Sequence, residues 1–293
     1  MRPDCTHCSL KPLHLKKRPR VVSHGRFYRR SDSRWIRRFR CLSCKRCFSH
    51  ATLNNCYRQK KRKLNRWVGL LMCQGMSQRA IARTLRISRV TVVRKLLFLA
   101  GLAETELTES NQKFPPCSVI EFDDMETSEH TKCKPLSITL AVESGTRRIL
   151  GFEVSKMPAK GKLVYLARKK YGPREDGRKL ARRKLFKRIA PLISKTAKIK
   201  SDENPHYESC VRKHFPEAIH ETFKGKRGCI VGQGELKKIG FDPLFSLNHT
   251  CAMFRANVNR LFRRTWCTTK SPERLRAHLF LYAAHHNRSL KLQ

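Results

Sequence analysis

Two adjacent aspartates, Asp123 and Asp124, follow an apolar run containing Val119, Ile120 and Phe122, in a chain with few acids: 22 Asp and Glu against 65 Lys and Arg. A strand that ends in carboxylates inside so basic a chain is a place to expect a divalent cation. Oxygen donors of this kind suit Mg²⁺ or Mn²⁺. A second acid, Asp202, follows the short apolar segment Ala197 to Ile199 and stands at the end of another expected strand. Two carboxylates brought together repel unless a cation lies between them. Two metal ions there would activate water or a 3′-hydroxyl and steady the leaving oxygen of a phosphodiester. Between Asp242 and Glu273 there is no further acid. The late helical stretch offers instead Asn248, a neutral amide ligand. Arg255 stands seven residues on, two turns along the same face. Glu235, in a glycine-rich loop, is the alternative third ligand. Plainer readings stand beside these. Asp123 or Asp124 could cap a turn, Asp202 could cap the helix opened by Pro205, and Asn248 could be an N-cap. Arg255 and Arg260 read as phosphate clamps, and His249 as a substrate contact or a packing residue.

A second constellation lies at the N-terminus. Cys5-x-x-Cys8 and Cys41-x-x-Cys44 place four thiolates at the tips of two knuckle turns, which suits a structural zinc ion. Cys47, His7, His14 and His50 compete as ligands. The metal would supply the core that this short, charged segment lacks. Thirteen cysteines, an odd number, with no secretory apolar region, predict a reducing compartment rather than a disulfide framework. Between the pairs, Lys16, Lys17, Arg18, Arg20, Arg26, Arg29 and Arg30 form a loop suited to phosphates.

The elements that must position these groups follow from charge and periodicity. A formal net charge of +43 over 293 residues, spread along the whole chain, predicts an extended nucleic-acid surface rather than a membrane patch. No apolar run approaches the roughly 18 residues of a membrane span. Residues 1–56 form the cysteine unit. Residues 57–104 read as helical: Lys63 to Cys73, then Gln78 to Leu85 capped by Ser77, then Arg89 to Phe98 capped by Ser88. The last two make a helix-turn-helix with Arg89, Thr91, Arg94 and Lys95 pointing outward to DNA. Residues 105–116, with Pro115-Pro116, read as a linker. From 117 the pattern turns to strands: Val119 to Asp123, Leu136 to Glu143, Arg148 to Val154, Ala197 to Ile199 and a fifth at Ala218-Ile219. Helices are expected over 160–193 with a break at Gly172-Pro173, from Pro205, over Asn248 to Arg264, and over Glu273 to His286.

FDDMETSEHTKCKPLSITLAVE, ILGFEVSKMPAKG, KSDENPHY and SLNHTCAMFRANVNRLFRRTW together resemble the DDE transposases of bacterial insertion sequences, in the branch whose third acid is replaced by Asn. The resemblance spans nearly the whole C-terminal part, and the cysteine unit also fits. It implies an α/β, ribonuclease-H-like catalytic domain over 117–293, a mixed five-stranded sheet with flanking helices. A zinc ribbon and an all-α helix-turn-helix domain precede it. It implies Asp123, Asp202 and Asn248 as ligands of a two-metal Mg²⁺ or Mn²⁺ site, with Arg255 as the basic residue seven positions on, where many members have Lys. Most members have Glu after the first Asp, where this chain has Asp124. It further implies double-stranded DNA as partner, a homodimer or higher oligomer on that DNA, and a bacterial cytoplasmic, nucleoid-associated location. Two other functions fit parts of the pattern: a DNA-binding regulator without catalysis, and a metal nuclease of the same fold that cuts but does not join.

Overall fold

A computed structural model of the chain describes residues 3–5, 7–8, 20–30, 33–57, 59–224, 242–262 and 265–290. Lys16, Lys17, Arg18, His14 and Glu235 lie outside the described residues. The chain divides into two compact units, Met1–Trp67 and Val68–Gln293.

In the first unit, β1 (Val21–Arg29), β2 (Arg34–Cys41) and β3 (Cys47–Ser49) form an antiparallel sheet in that order. Its core is very small: Val21, Phe39, Phe48, Cys5 and Cys41. So little apolar surface stabilises a fold only weakly.

The second unit is α/β. β4 (Cys117–Ser128), β5 (Pro135–Glu143) and β6 (Ile149–Lys156) form an antiparallel meander. β7 (Ile193–Asp202) and β8 (Ile219–Phe223) add in parallel, giving the order β6-β5-β4-β7-β8. Parallel neighbours need crossovers. α4 (Leu163–Tyr171) and α5 (Arg178–Ile189) precede β7, and α6 (Pro205–His214) links β7 to β8. Alternation along β4 divides the core. Ile120 and Phe122 pack with Leu185, Phe186 and Ile189 of α5 and Tyr207 and Val211 of α6. Gly151 of β6 lets α5 approach closely, since a Cβ there would sit 3.0 Å from Leu185 Cδ1. The alternate residue Met125 joins a second cluster with α7 (Phe245–Asn257) and α8 (Pro272–Leu290).

That second cluster also takes in Val68, Met72 and Cys73 of α1 (Leu64–Cys73), Ile81 of α2 (Gln78–Thr84), and Val92, Leu96, Ala103 and Leu107 of α3 (Arg89–Asn111). Ser77 and Ser88 cap α2 and α3 as the sequence predicts, each accepting from the amide three residues on. The expected linker differs. Residues 105–111 continue α3, whose stripe Ala103, Leu107 and Asn111 is buried. Asn111 Nδ2 donates to the carbonyls of Ile149 and Leu150 at 3.0 and 3.2 Å. Asn287 of α8 pairs both polar groups of Ile149 at 2.9 Å. Two side-chain amides thus satisfy the backbone of edge strand β6, where a strand would otherwise be open. Glu104 and Glu106 of α3 pair with Arg276 and Arg288 of α8 at 2.7 and 2.6 Å. No helix among the described residues is long and apolar enough to cross a membrane.

Candidate metal centres

The four-cysteine cluster comes together. The sulfurs of Cys5, Cys8, Cys41 and Cys44 all lie within 4.8 Å of one another. Cys5 and Cys44 are 3.6 Å apart, and Cys8 and Cys41 3.8 Å. A tetrahedral zinc with ~2.3 Å Zn–S bonds needs sulfurs about 3.8 Å apart, so the cluster can hold such an ion. The knuckle that presents Cys41 and Cys44 is closed by the Cys41 amide donating to the Arg46 carbonyl at 3.0 Å. Lys45 turns it with a φ of 58°. Burial alone would raise the Cys41 thiol, but the amides of Cys44 and Ser43 pull it down to about 6, while burial drives Cys8 up to about 12. The competing ligands among the described residues go elsewhere. Cys47 is exposed on β3, His7 meets Arg46 at 2.9 Å, and His50 packs edge-on against Phe39.

The carboxylates are arranged by alternation. β4 does not end at its aspartates, as the sequence suggests, but runs through them to Ser128. Asp123 and Asp124 therefore point to opposite faces of the sheet. Asp124 faces α5. One of its oxygens accepts from Thr139, its cross-strand partner, and the other from Arg182 Nη1 at 2.8 Å. The Asp124 and Arg182 side chains are only 8% and 5% exposed, so both oxygens of Asp124 are occupied, one of them in a buried ion pair.

Asp123 lies on the other face. β4 and β7 pair in register up to Glu121 and Lys200. Asp123 and Asp202 each stand two residues further along, on the same face of neighbouring parallel strands. Burial and the charge of Asp202 push Asp123 up to about 6. Asp202 is also raised, by burial first and then by Asp124 and Glu203. The Tyr207 hydroxyl, reaching from α6, donates to Asp123 Oδ1 at 3.0 Å and accepts from the Asp124 amide at 3.1 Å. Burial and the surrounding carboxylates hold the Tyr207 phenol well above its ordinary value, so it remains a donor. Among the described residues Asp123 Oδ2 has no hydrogen-bond partner, and Asp202 accepts only at Oδ1, from the Asn204 amide at 3.3 Å.

α7 is fastened to the same stretch of β4. Glu121, 2% exposed, accepts from the Leu247 amide at 2.8 Å and from Ser144 Oγ at 2.6 Å. Ser246 Oγ accepts from the Gly145 amide at 2.8 Å. Asn248 is therefore not an N-cap: it lies in the first turn of α7, beside this tether, with its side chain exposed. Its Nδ2 donates to Asp242 Oδ2 at 2.9 Å, which orients the amide; the amide oxygen has no hydrogen-bond partner among the described residues. Cys251, one turn on, lies within electrostatic reach of both Asp123 and Arg255. The three expected oxygen ligands thus come from the fourth strand, the seventh strand and α7. Of the residues that support them, Asp242, Tyr207 and Arg182 do not stand out from the sequence by type or spacing. Glu121 alone gave a signal, an acid two residues before Asp123 and so on its face.

The residues expected to meet DNA divide. Arg89 and Arg94 are exposed on α3. Thr91 is half-buried, and its hydroxyl is 2.9 Å from the capping Ser88 Oγ. Lys95 does not point outward: it is 4% exposed. Because α3 continues to Asn111 and packs along α8, its buried stripe is wide, and Lys95 falls on it beside Val92 and Leu96. Arg260 is likewise packed in rather than a free clamp. Burial lowers its guanidinium to about 10, and it donates to Thr269 Oγ1 at 3.3 Å. Among the expected phosphate-contacting residues of the first unit, Arg20, Arg26 and Arg30 are exposed and Arg29 is half-buried.

No family model matches this chain, and no curated protein matches it.

Proposed function

We propose that the protein is a DNA transposase of the DDE type, with a ribonuclease-H-like catalytic domain and an Asp-Asp-Asn metal site. The observation that carries this reading is the convergence of Asp123, Asp202 and the Asn248 helix. The two carboxylates share one face of adjacent parallel strands, and a buried glutamate ties the helix to the first of them. The residues fit a divalent cation. Two mutually repelling carboxylates each keep an oxygen without a hydrogen bond among the described residues, and an amide oxygen is oriented by Asp242. When bound, Mg²⁺ or Mn²⁺ would activate the attacking oxygen and offset charge on the leaving oxygen of a phosphodiester. Tyr207 fixes Asp123, Glu121 fixes the helix of Asn248, and Arg255 offers a cation two turns along for a DNA phosphate. Asp124 has a structural task, because Arg182 and Thr139 occupy both of its oxygens.

On this reading Cys5, Cys8, Cys41 and Cys44 hold the zinc of a ribbon. The ribbon and the α2–α3 helix-turn-helix grip the inverted repeats at the ends of the element through Arg26, Arg89 and Arg94. The catalytic domain cuts to a 3′-hydroxyl and joins that hydroxyl to target DNA in a bacterial cytoplasm. Joining two ends requires at least two subunits. The test uses the DNA flanking the gene. The wild type should cleave it with Mg²⁺ and join a pre-cleaved end to a second duplex, and Asp202→Ala should do neither. Equal cleavage by the variant sinks the site. Cleavage without joining makes the protein a nuclease instead.

A further inference from the structure

On the face of the sheet away from Asp123, α5 and α6 enclose an open groove of about 590 Å³. Its lining includes Arg178, Lys179, Arg182, Arg183 and Lys213, and one carboxylate, Asp176. Asp176 is taken by Arg178, which donates to it from Nη2 at 2.6 Å and from Nε at 2.9 and 3.1 Å. Lys179, Arg183 and Lys213 are exposed, and among the described residues they carry no ion pair. At the floor lies Arg182, 4% exposed. Its Nη1 binds Asp124, its guanidinium lies over the Tyr207 ring at 5.2 Å, and its Nε is buried with no hydrogen-bond partner.

A buried N–H without an acceptor costs about 1–3 kcal/mol, and the arginine that carries it lines a groove in which cations outnumber acids. An oxyanion would offset that excess of cations, and phosphate geometry suits a guanidinium. An open groove between two exposed helices suits a backbone phosphate of a long polyanion better than an enclosed small molecule. We propose that the α5–α6 groove binds a phosphodiester of a nucleic-acid backbone, with Arg182 set between that phosphate and Asp124. The site is separate from the metal ligands and lies on the opposite side of β4. Arg182 also joins the two: it pairs with Asp124 and stacks on Tyr207, which holds Asp123. Phosphate in the groove therefore stiffens the strand that carries the first metal ligand.

Lysine acetylation footprinting of the full-length protein tests this directly. With a short DNA duplex bound, Lys179 and Lys213 should be acetylated several-fold more slowly, while the exposed Lys169 and Lys170 of α4 change little. Protection spread equally over all four lysines overturns the proposal. So does protection by inorganic phosphate but not by duplex, which would mark a small-anion site. A paired comparison supplies a second readout. Arg183→Ala/Lys213→Ala should flatten the dependence of log affinity on log salt by about 2, as expected for two lost phosphate contacts. Arg168→Ala/Lys169→Ala, of equal charge, should leave it nearly unchanged, and equal slopes for the two doubles overturn the assignment. None of this needs catalysis. Asp202→Ala, expected to abolish cleavage, should keep the protection pattern, so the groove and the metal site fail separately.

Discussion

Replacing Glu121 probes how the helix of Asn248 is held. Its carboxylate accepts from the Leu247 amide at 2.8 Å and from Ser144 Oγ at 2.6 Å, with 2% of the residue exposed. Hydrogen bonds to a charged acceptor contribute about 1.5–3 kcal/mol each. Glu121→Ala removes both and leaves a buried N–H unpaired, so it should cost about 3–5 kcal/mol. Glu121→Gln keeps the shape. Its amide oxygen can accept from Leu247 while its NH₂ donates to Ser144, so only the charge assistance is lost, about 1 kcal/mol. The two variants thus separate the tether from mere volume. Urea unfolding gives the stability, and native-state hydrogen exchange at Leu247 reports the tether itself. That amide should exchange much faster in the Ala variant and only slightly faster in the Gln variant. Because a displacement of order 1 Å at a catalytic group costs about 10²-fold in rate, cleavage should fall in the same order. An Ala variant no less stable than the Gln variant, or one whose Leu247 amide is as protected as in the wild type, refutes the tether.

Three further outcomes follow from the same structure. Asp123 is raised by burial and by Asp202 from an ordinary 3.8 to about 6. Between those values the folded chain keeps a proton that the unfolded chain has released, so without divalent metal stability should fall as pH rises from about 4 to 6. Asp123→Asn should remove the Asp123 part of that slope and gain about 3 kcal/mol at neutral pH, read by urea unfolding with a chelator present. Arg182→Met should cost about 3–5 kcal/mol because it strands buried Asp124, and Asp124→Leu in the same chain should recover most of it, as a double-mutant cycle in urea would show. Cys41→Ser, or a strong chelator, should melt the three-stranded sheet of the first unit while α/β circular dichroism persists; the wild type should carry one zinc per chain by native mass spectrometry.

The sequence pattern reveals most where side chains alternate or recur. LSITLAVE and RILGFEV read as strands because their apolar residues leave no other choice, and Ser77 and Ser88 mark two helix starts by the chemistry of their hydroxyls. The strand through Asp123 is harder. DMETS is polar, so β4 looks finished five residues early, and the opposed faces of Asp123 and Asp124 stay hidden. TELTESN looks like a linker for the same reason. Its burial at Leu107 and Asn111, spaced four apart after Ala103, is legible only as a sparse helical stripe. Lys95 could not be placed from α3 alone, since α8, nearly two hundred residues away, decides which face is covered. The cysteine pairs were legible because metal spacing is local within each pair. Arg182 was not: nothing near it in sequence points to Asp124.

Manganese binding tests the central claim most directly. Mn²⁺ should bind the wild-type protein with its electron paramagnetic resonance signal broadened, and Asp202→Ala should weaken binding by more than about tenfold, the scale of a lost ligand or supporting group. Glu203→Ala, which removes an exposed acid one residue away, should bind as the wild type does. Wild-type affinity in Asp202→Ala, or an equal loss in Glu203→Ala, would contradict a site built from Asp123, Asp202 and Asn248.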